Sequence, residues 1–108
     1  MTKFELYCLI YYALEAEWER NHDRELGSYL SGANPFAFTD CSSAEPSVYA
    51  DFCKLVKGTN FSIAESFSIA KKYAESLHIP DAVAALNRLS AKDWVDGAKA
   101  YLSNPHKS

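Results

Sequence analysis

Apolar side chains recur along this chain at steps of three and four residues, the spacing of one face of an α-helix. Thr2 and Glu5 have the T-x-x-E spacing of a capping box, so a first helix is predicted from about Lys3 to His22. Its main apolar stripe consists of Phe4, Tyr7, Tyr11, Leu14 and Trp18. Because Leu6, Leu9, Ile10 and Tyr12 also make its first half apolar nearly all round, we expect this helix to be central or covered on two sides.

Further helices are predicted between residues that start or stop helical structure. Gly32 and Gly58 are expected to end the second and third helices, because glycine readily takes the left-handed conformation at a helix end. Ser62 with Glu65 and Ser90 with Asp93 predict two more capping boxes. The predicted helices after the first run over about Asp23–Leu30, Pro46–Lys57, Ser62–His78, Asp81–Leu89 and from Ser90 to Leu102.

No stretch alternates apolar and polar residues long enough to predict a β-strand. The pattern therefore predicts an all-α fold, a single-domain bundle of five to six short helices over residues 1–102. Residues 103–108, SNPHKS, are interpreted as a flexible C-terminal tail. Apolar residues make up 48% of the chain, which is typical of a globular domain and not of a disordered one.

The charge is unevenly distributed around a net value of −3. Residues 1–52 carry nine acidic side chains against three basic ones, whereas residues 53–108 carry eight basic against five acidic. The two halves either complement each other within the fold or form a dipolar surface that orients a partner or a second copy. The net negative charge argues against nucleic acid or a membrane surface as the partner, because phosphates attract a basic face.

The three cysteines, Cys8, Cys41 and Cys53, have no paired spacing and are interpreted as reduced thiols. No apolar run approaches the roughly 18 residues of a membrane span, and the first helix lacks the cleavage site of a secretory signal. The expected location is the cytoplasm.

The least regular stretch, residues 32–47, is the candidate partner-binding site. Phe36 and Phe38 lie in an otherwise polar segment, where they either fold down onto the bundle or stand out as an anchor for another protein. The residues assigned to this candidate site are Asn34, Pro35, Phe36, Phe38 and Asp40.

Two alternatives follow from other side chains. Glu19 with His22, and Glu75 with His78, both have the Glu-x-x-His spacing that carboxylate-bridged di-iron bundles use, although helix ends also favour histidine electrostatically. The basic C-terminal half instead suggests a DNA-binding regulator, although its short helix around Asn87 offers few polar side chains to a groove. The basic residues of that alternative are Lys71, Lys72, Arg88, Lys92 and Lys99.

No glycine-rich phosphate loop, G-x-S-x-G or H-E-x-x-H motif is present, so neither an enzyme activity nor a cofactor is expected. The sequence is interpreted as a small, non-catalytic interaction or regulatory module, of the inhibitor or adaptor type, with an unknown protein partner. Self-association is a further expectation, because a helix with two apolar faces can supply a symmetric dimer interface.

Overall fold

The first helix begins at the cap predicted for it. In the computed structural model, which describes all 108 residues, Thr2 Oγ1 accepts the Glu5 N–H at 3.1 Å and Glu5 Oε1 accepts the Thr2 N–H at 2.7 Å. Ser90 and Asp93 form the same reciprocal pair. The box predicted at Ser62 is only half formed. Ser62 Oγ accepts the Glu65 N–H at 3.1 Å, but the Glu65 carboxylate accepts the Ser62 hydroxyl at 2.8 Å instead of the Ser62 N–H.

Six α-helices and no strand make up the fold, which confirms the predicted all-α bundle. Their bounds are α1 Lys3–Asn21, α2 Arg24–Ala33, α3 Pro46–Leu55, α4 Ile63–Ser76, α5 Pro80–Asn87 and α6 Ala91–Ser103. One isolated antiparallel bridge joins Thr2 to Asn60.

Several helix ends differ from the prediction by one to three residues. The second helix passes through Gly32 and ends at Ala33. Gly32 instead lies where the segment before α3 packs closely on α2, and its carbonyl accepts the Glu45 N–H at 2.8 Å. A Cβ built on Gly32 would lie only 3.2 Å from Glu45 Cβ. The first helix ends just before His22, and the fourth ends at Ser76, two residues before His78; the φ values of these histidines, 51° and 56°, are left-handed and do not continue a helix.

The first helix is the centre of the bundle. Every residue from Phe4 to Tyr11 is buried, and α1 packs against α2, α3, α4 and α5, as its all-round apolar start predicts. Aromatic rings supply much of the core: the Tyr7 and Phe52 centroids are 5.1 Å apart, and those of Phe52 and Tyr73 are 4.8 Å apart. Edge-to-face contacts of this kind add stability beyond the buried area.

The last helix is joined to the bundle mainly through α4. The Trp94 ring stacks on Phe67 at 5.3 Å, and its indole N–H donates to Ser66 Oγ at 2.8 Å inside the core. From this anchor α6 runs until Tyr101 meets Tyr12 of α1, with 5.9 Å between ring centroids. This meeting point and the loop between α2 and α3 lie side by side on one surface of the molecule.

Candidate protein-binding site

The loop after α2 divides its side chains between the core and the solvent. Pro35 is fully buried, and Asn34 Oδ1 accepts the Phe36 N–H at 2.8 Å, an Asx turn that sends the following residues outward. Phe36 and Phe38 remain 48% and 52% exposed. Pro35 therefore packs into the core, and the two phenylalanines stay about half exposed.

A continuous set of rings crosses this face of the molecule. The Phe36 ring lies 5.6 Å from that of Tyr12 and 6.2 Å from that of Tyr11, and Tyr12 in turn contacts Tyr101. We call Tyr12, Phe36, Phe38 and Tyr101 the aromatic surface. They line an open concavity of about 480 Å³, together with Asn104, Pro105, His106 and Lys107.

The wall opposite the phenylalanines is the segment that follows α6. Lys107 Nζ donates to three carbonyls of the loop, those of Pro35 at 2.6 Å, Phe38 at 2.6 Å and Asp40 at 2.8 Å. The loop backbone is therefore held by an ammonium group whose three N–H donors all have partners. The prediction that residues 103–108 form a flexible tail concerns their motion and stays a prediction. In position, this segment lies against α1 through His106 and against the loop through Lys107.

His106 attaches the same segment to α1. Its Nε2 contacts Glu5 Oε2, its Nδ1 lies 2.6 Å from the Asn104 carbonyl oxygen, and its ring centroid lies 4.4 Å from that of Tyr101. The hydrogen bond with Glu5 is the main cause that raises the pKa of His106. Burial is the largest single influence on Glu5 and acts to raise its pKa, but hydrogen bonds from Thr2 and His106 outweigh it and lower the pKa overall.

Apart from the exposed Asp40 carboxylate, the ionisable groups around this surface are neutral or already paired. Burial raises the pKa of the Cys8 thiol to about 11, so the thiol stays protonated and is a poor nucleophile. Burial likewise raises the pKa of Tyr101. Asp40 is exposed at the end of the loop and contributes its carbonyl, not its carboxylate, to the contact with Lys107.

Among the residues predicted for the partner-binding site, Phe36 and Phe38 lie on the aromatic surface, whereas Asn34 and Pro35 shape the loop beneath it. The site also contains groups that the sequence did not indicate, which are Tyr12, Tyr101, His106 and Lys107. The one signal in the sequence for Tyr12 and Tyr101 is that both are aromatic residues at positions with helical spacing. His106 and Lys107 have no such signal.

The two Glu-x-x-His pairs lie at the ends of α1 and α4. His22 and His78 are the left-handed residues that follow these helices, and the His22 ring packs against Trp18 with centroids 4.6 Å apart. No group of three or more His, Cys, Asp or Glu side chains comes close enough together to hold a metal ion. The four residues of the metal alternative therefore do not converge on one site.

Most of the basic residues of the DNA-binding alternative have intramolecular contacts. Arg88 Nε donates to Glu17 at 2.6 Å, Lys92 pairs with Asp96 at 2.5 Å, and the Lys71 ammonium lies 4.4 Å from the Phe67 ring centroid. DNA binding by this half of the chain stays a prediction.

All three cysteines are free. None of the six helices is both long and apolar enough to cross a lipid bilayer. Comparison with protein-family models, with curated proteins and with solved structures found no match to this chain.

Proposed function

We propose that this protein is a non-catalytic, cytosolic interaction module that binds another protein through the aromatic surface. The observation that carries this proposal is the grouping of exposed apolar side chains. Of the four large hydrophobic residues that are clearly exposed, Tyr12, Phe36 and Phe38 lie together at this one concavity, while Leu55 lies apart on α3. Exposed apolar groups scattered singly are ordinary, but a contiguous group marks an interaction site.

The chemistry of the surface favours a protein as the partner. The two basic side chains at its edge, His106 and Lys107, are occupied by Glu5 and by loop carbonyls. A ligand recognised mainly by charge, such as a nucleic acid, would find little to bind here. A protein that presents an apolar or aromatic side chain matches the rings and the concavity, because buried aromatic anchors in pockets carry most of the energy of such interfaces.

The shape favours a different protein over a second copy of this chain. A two-fold dimer places the same patch of each subunit against itself, so the concavity would face another concavity. An anchor side chain inserted by a different protein fills the space instead. A second, smaller concavity of about 240 Å³ adjoins the first and shares Tyr12 and Tyr101 with it, which extends the apolar surface along α1 and α6.

The free thiols support the cytosolic part of the proposal, since thiols persist in a reducing compartment. The location of the protein is tested directly by fractionating cells that express the tagged chain and detecting the chain in each fraction by immunoblot. Recovery of the protein with its thiols oxidised in an extracytosolic fraction would contradict this part.

The interaction is tested by comparing Phe36→Asp and Phe38→Asp with Leu55→Asp. Leu55 is a matched control because it is 59% exposed but belongs to a different face. A partner captured from the native host by the tagged protein is then purified and its Kd measured for each variant by calorimetry. We expect each phenylalanine variant to weaken binding roughly 30-fold, the loss typical of an interface hot spot, and Leu55→Asp to bind like the wild type.

Two results would contradict the proposal. One is equal affinity of all three variants for the captured protein, which would assign binding to another face. The other is a wild-type dimer in light scattering that Phe38→Asp converts to a monomer, which would assign the aromatic surface to self-association. Melting temperatures of the phenylalanine variants should stay near the wild-type value, because both side chains are already half exposed.

A further inference from the structure

The imidazole of His106 lies between two groups that accept hydrogen bonds. Its Nε2 faces Glu5 Oε2, and its Nδ1 is 2.6 Å from the backbone oxygen of Asn104. A carbonyl oxygen accepts hydrogen bonds only, and so does an ionised carboxylate. A neutral imidazole carries one N–H, so both contacts are hydrogen bonds only when the ring is protonated on both nitrogens.

The Glu5 carboxylate is itself held in the ionised form by the fold. Its other oxygen, Oε1, accepts the Thr2 N–H at 2.7 Å in the capping box of α1. The N-terminus of a helix stabilises negative charge through its unpaired N–H groups. One carboxylate thus caps the central helix with one oxygen and binds His106 with the other.

Lys107, the residue after His106, attaches the tail to the loop. Lys107 donates to the carbonyls of Pro35, Phe38 and Asp40, and its ammonium also lies 5.2 Å from the Phe4 ring centroid. His106 and Lys107 therefore connect α1, the tail and the loop. Residues 104–107 form one wall of the concavity, and the loop that they hold carries Phe36 and Phe38 on the other.

We propose that protonated His106 is a pH-sensitive latch that docks residues 104–108 and keeps the aromatic surface in the shape seen here. The effect of the latch on partner binding rests on the proposed function, because release of the tail would remove one wall of the partner-binding concavity. Deprotonation removes one of the two hydrogen bonds and the positive charge that faces Glu5, and this weakens the hold on the tail that positions Lys107 against the loop.

The other ionisable groups near His106 come from α1, α6, the tail and the loop. From α1 it faces Glu5 and, through Tyr101, the Cys8 thiol, whose pKa burial raises to about 11. From α6 it faces Tyr101, whose pKa burial raises. Lys107 is the positive neighbour within the tail, and Asp40 is the acidic residue of the loop segment held by Lys107. Because the Glu5 contact raises the pKa of His106, the latch is closed below about pH 6.5 for as long as Glu5 stays ionised, and it opens as the pH rises through that raised value.

The latch is tested without any partner by following His106 and the aromatic rings together in an NMR pH titration. We expect the His106 ring to titrate above its ordinary value of about 6.5. Ring signals of Phe36, Phe38 and Tyr12 and amide signals of residues 104–108 should move with the same midpoint. In His106→Gln those signals should lose this pH dependence, and amide exchange in the tail should be at least about tenfold faster than in the wild type below pH 6.5.

Two variants separate the latch from a structural role of the tail. Glu5→Gln keeps an oxygen for the Thr2 N–H but removes the anion, so the His106 midpoint should fall while α1 stays folded. Lys107→Met should free the loop signals at every pH yet leave His106 titrating above 6.5. The latch is wrong if His106 titrates at or below 6.5, or if the ring signals of the aromatic surface ignore its titration. Either result is independent of whether a partner binds, so a failure of the latch and a failure of the proposed function are distinguishable.

Discussion

Arg88 at the end of α5 donates its Nε–H to the buried carboxylate of Glu17 in α1, across 2.6 Å and 71 positions of sequence. The Glu17 side chain is 1% exposed, whereas that of Arg88 is 48% exposed. Asn21 Nδ2 donates to the other carboxylate oxygen at 2.7 Å. A carboxylate this deeply buried requires such partners, because an unpaired buried charge is strongly unfavourable.

Replacement of Glu17 by Gln should therefore destabilise the fold. The substitution removes the charge-assisted hydrogen bond, so we expect the free energy of unfolding to fall by roughly 1–3 kcal/mol in urea titrations. Glu19→Gln is the control, because Glu19 is exposed on the same helix and should change stability by less than about 0.5 kcal/mol. Equal stability of the two variants would show that the contact with Arg88 contributes nothing net.

A pair of glycines in helices provides a second prediction. A Cβ on Gly27 of α2 would lie 2.6 Å from Trp18 Nε1, whereas a Cβ on Gly97 of α6 would meet no atom within 4 Å. Gly97→Ala should stabilise the protein by up to about 1 kcal/mol, the gain in helix propensity. Gly27→Ala should destabilise it, because the cost of overpacking, about 1–3 kcal/mol, exceeds that gain.

Both glycine variants are measured by thermal unfolding, with tryptophan fluorescence as the local probe. The Gly27→Ala spectrum should shift, since the Trp18 ring must move, and the Gly97→Ala spectrum should match the wild type. A Gly27→Ala protein that melts above the wild type would mean that the Trp18 ring swings aside at little cost, and this would overturn the assignment of Gly27 as a packing glycine.

The buried hydrogen bond between Trp94 and Ser66 provides a third prediction. Ser66 Oγ accepts the indole N–H at 2.8 Å and donates to the Ile63 carbonyl at 2.7 Å, and Ser66 is fully buried. Ser66→Ala leaves the indole N–H without an acceptor, so the free energy of unfolding should fall by about 1–3 kcal/mol. Ser68→Ala, an exposed position of the same helix, should be nearly neutral. Because Ala is the better helix former, a gain in Ser66→Ala equal to that in Ser68→Ala would show that the hydrogen bond with Trp94 contributes nothing net.

Local signals in the sequence predicted the helices well, whereas contacts between distant segments were not predictable. Thr2 and Glu5 are three residues apart, so their capping box is visible as a motif. The contact of Glu5 with His106 joins positions 101 residues apart, and that of Lys107 with Pro35 joins positions 72 apart. Nothing local distinguishes a docked SNPHKS from a free one, because its two anchors bind groups that only the folded bundle brings near.

The candidate site likewise combines residues with a local signal and residues without one. Phe36 and Phe38 were identified because two aromatic residues in a polar loop are unusual in themselves. Tyr12 belongs to the apolar first half of α1, yet it is 42% exposed while Tyr11 beside it is buried. Helical periodicity gives the face of a side chain but not whether another element covers that face.

The pair formed by Glu5 and His106 predicts how stability depends on pH. The raised pKa of His106 stabilises the folded state fully below about pH 6.5, and this contribution disappears as the pH rises through the raised value. The lowered pKa of Glu5 gives a contribution that is present above its ordinary value of about 4.5 and is lost as the pH falls through the folded value. The pair therefore stabilises the protein most between these limits.

The difference in melting temperature between the wild type and His106→Gln should accordingly be largest between about pH 4.5 and 6.5 and shrink on both sides. His22→Gln is the control, because His22 lies at the end of α1 and packs on Trp18, away from Glu5. A difference that stays constant from pH 4 to 9 would mean that His106 contributes packing alone. A difference that grows above pH 7 would mean that neutral imidazole makes the contact, and the ion pair with Glu5 would then be the wrong description of how the tail is held.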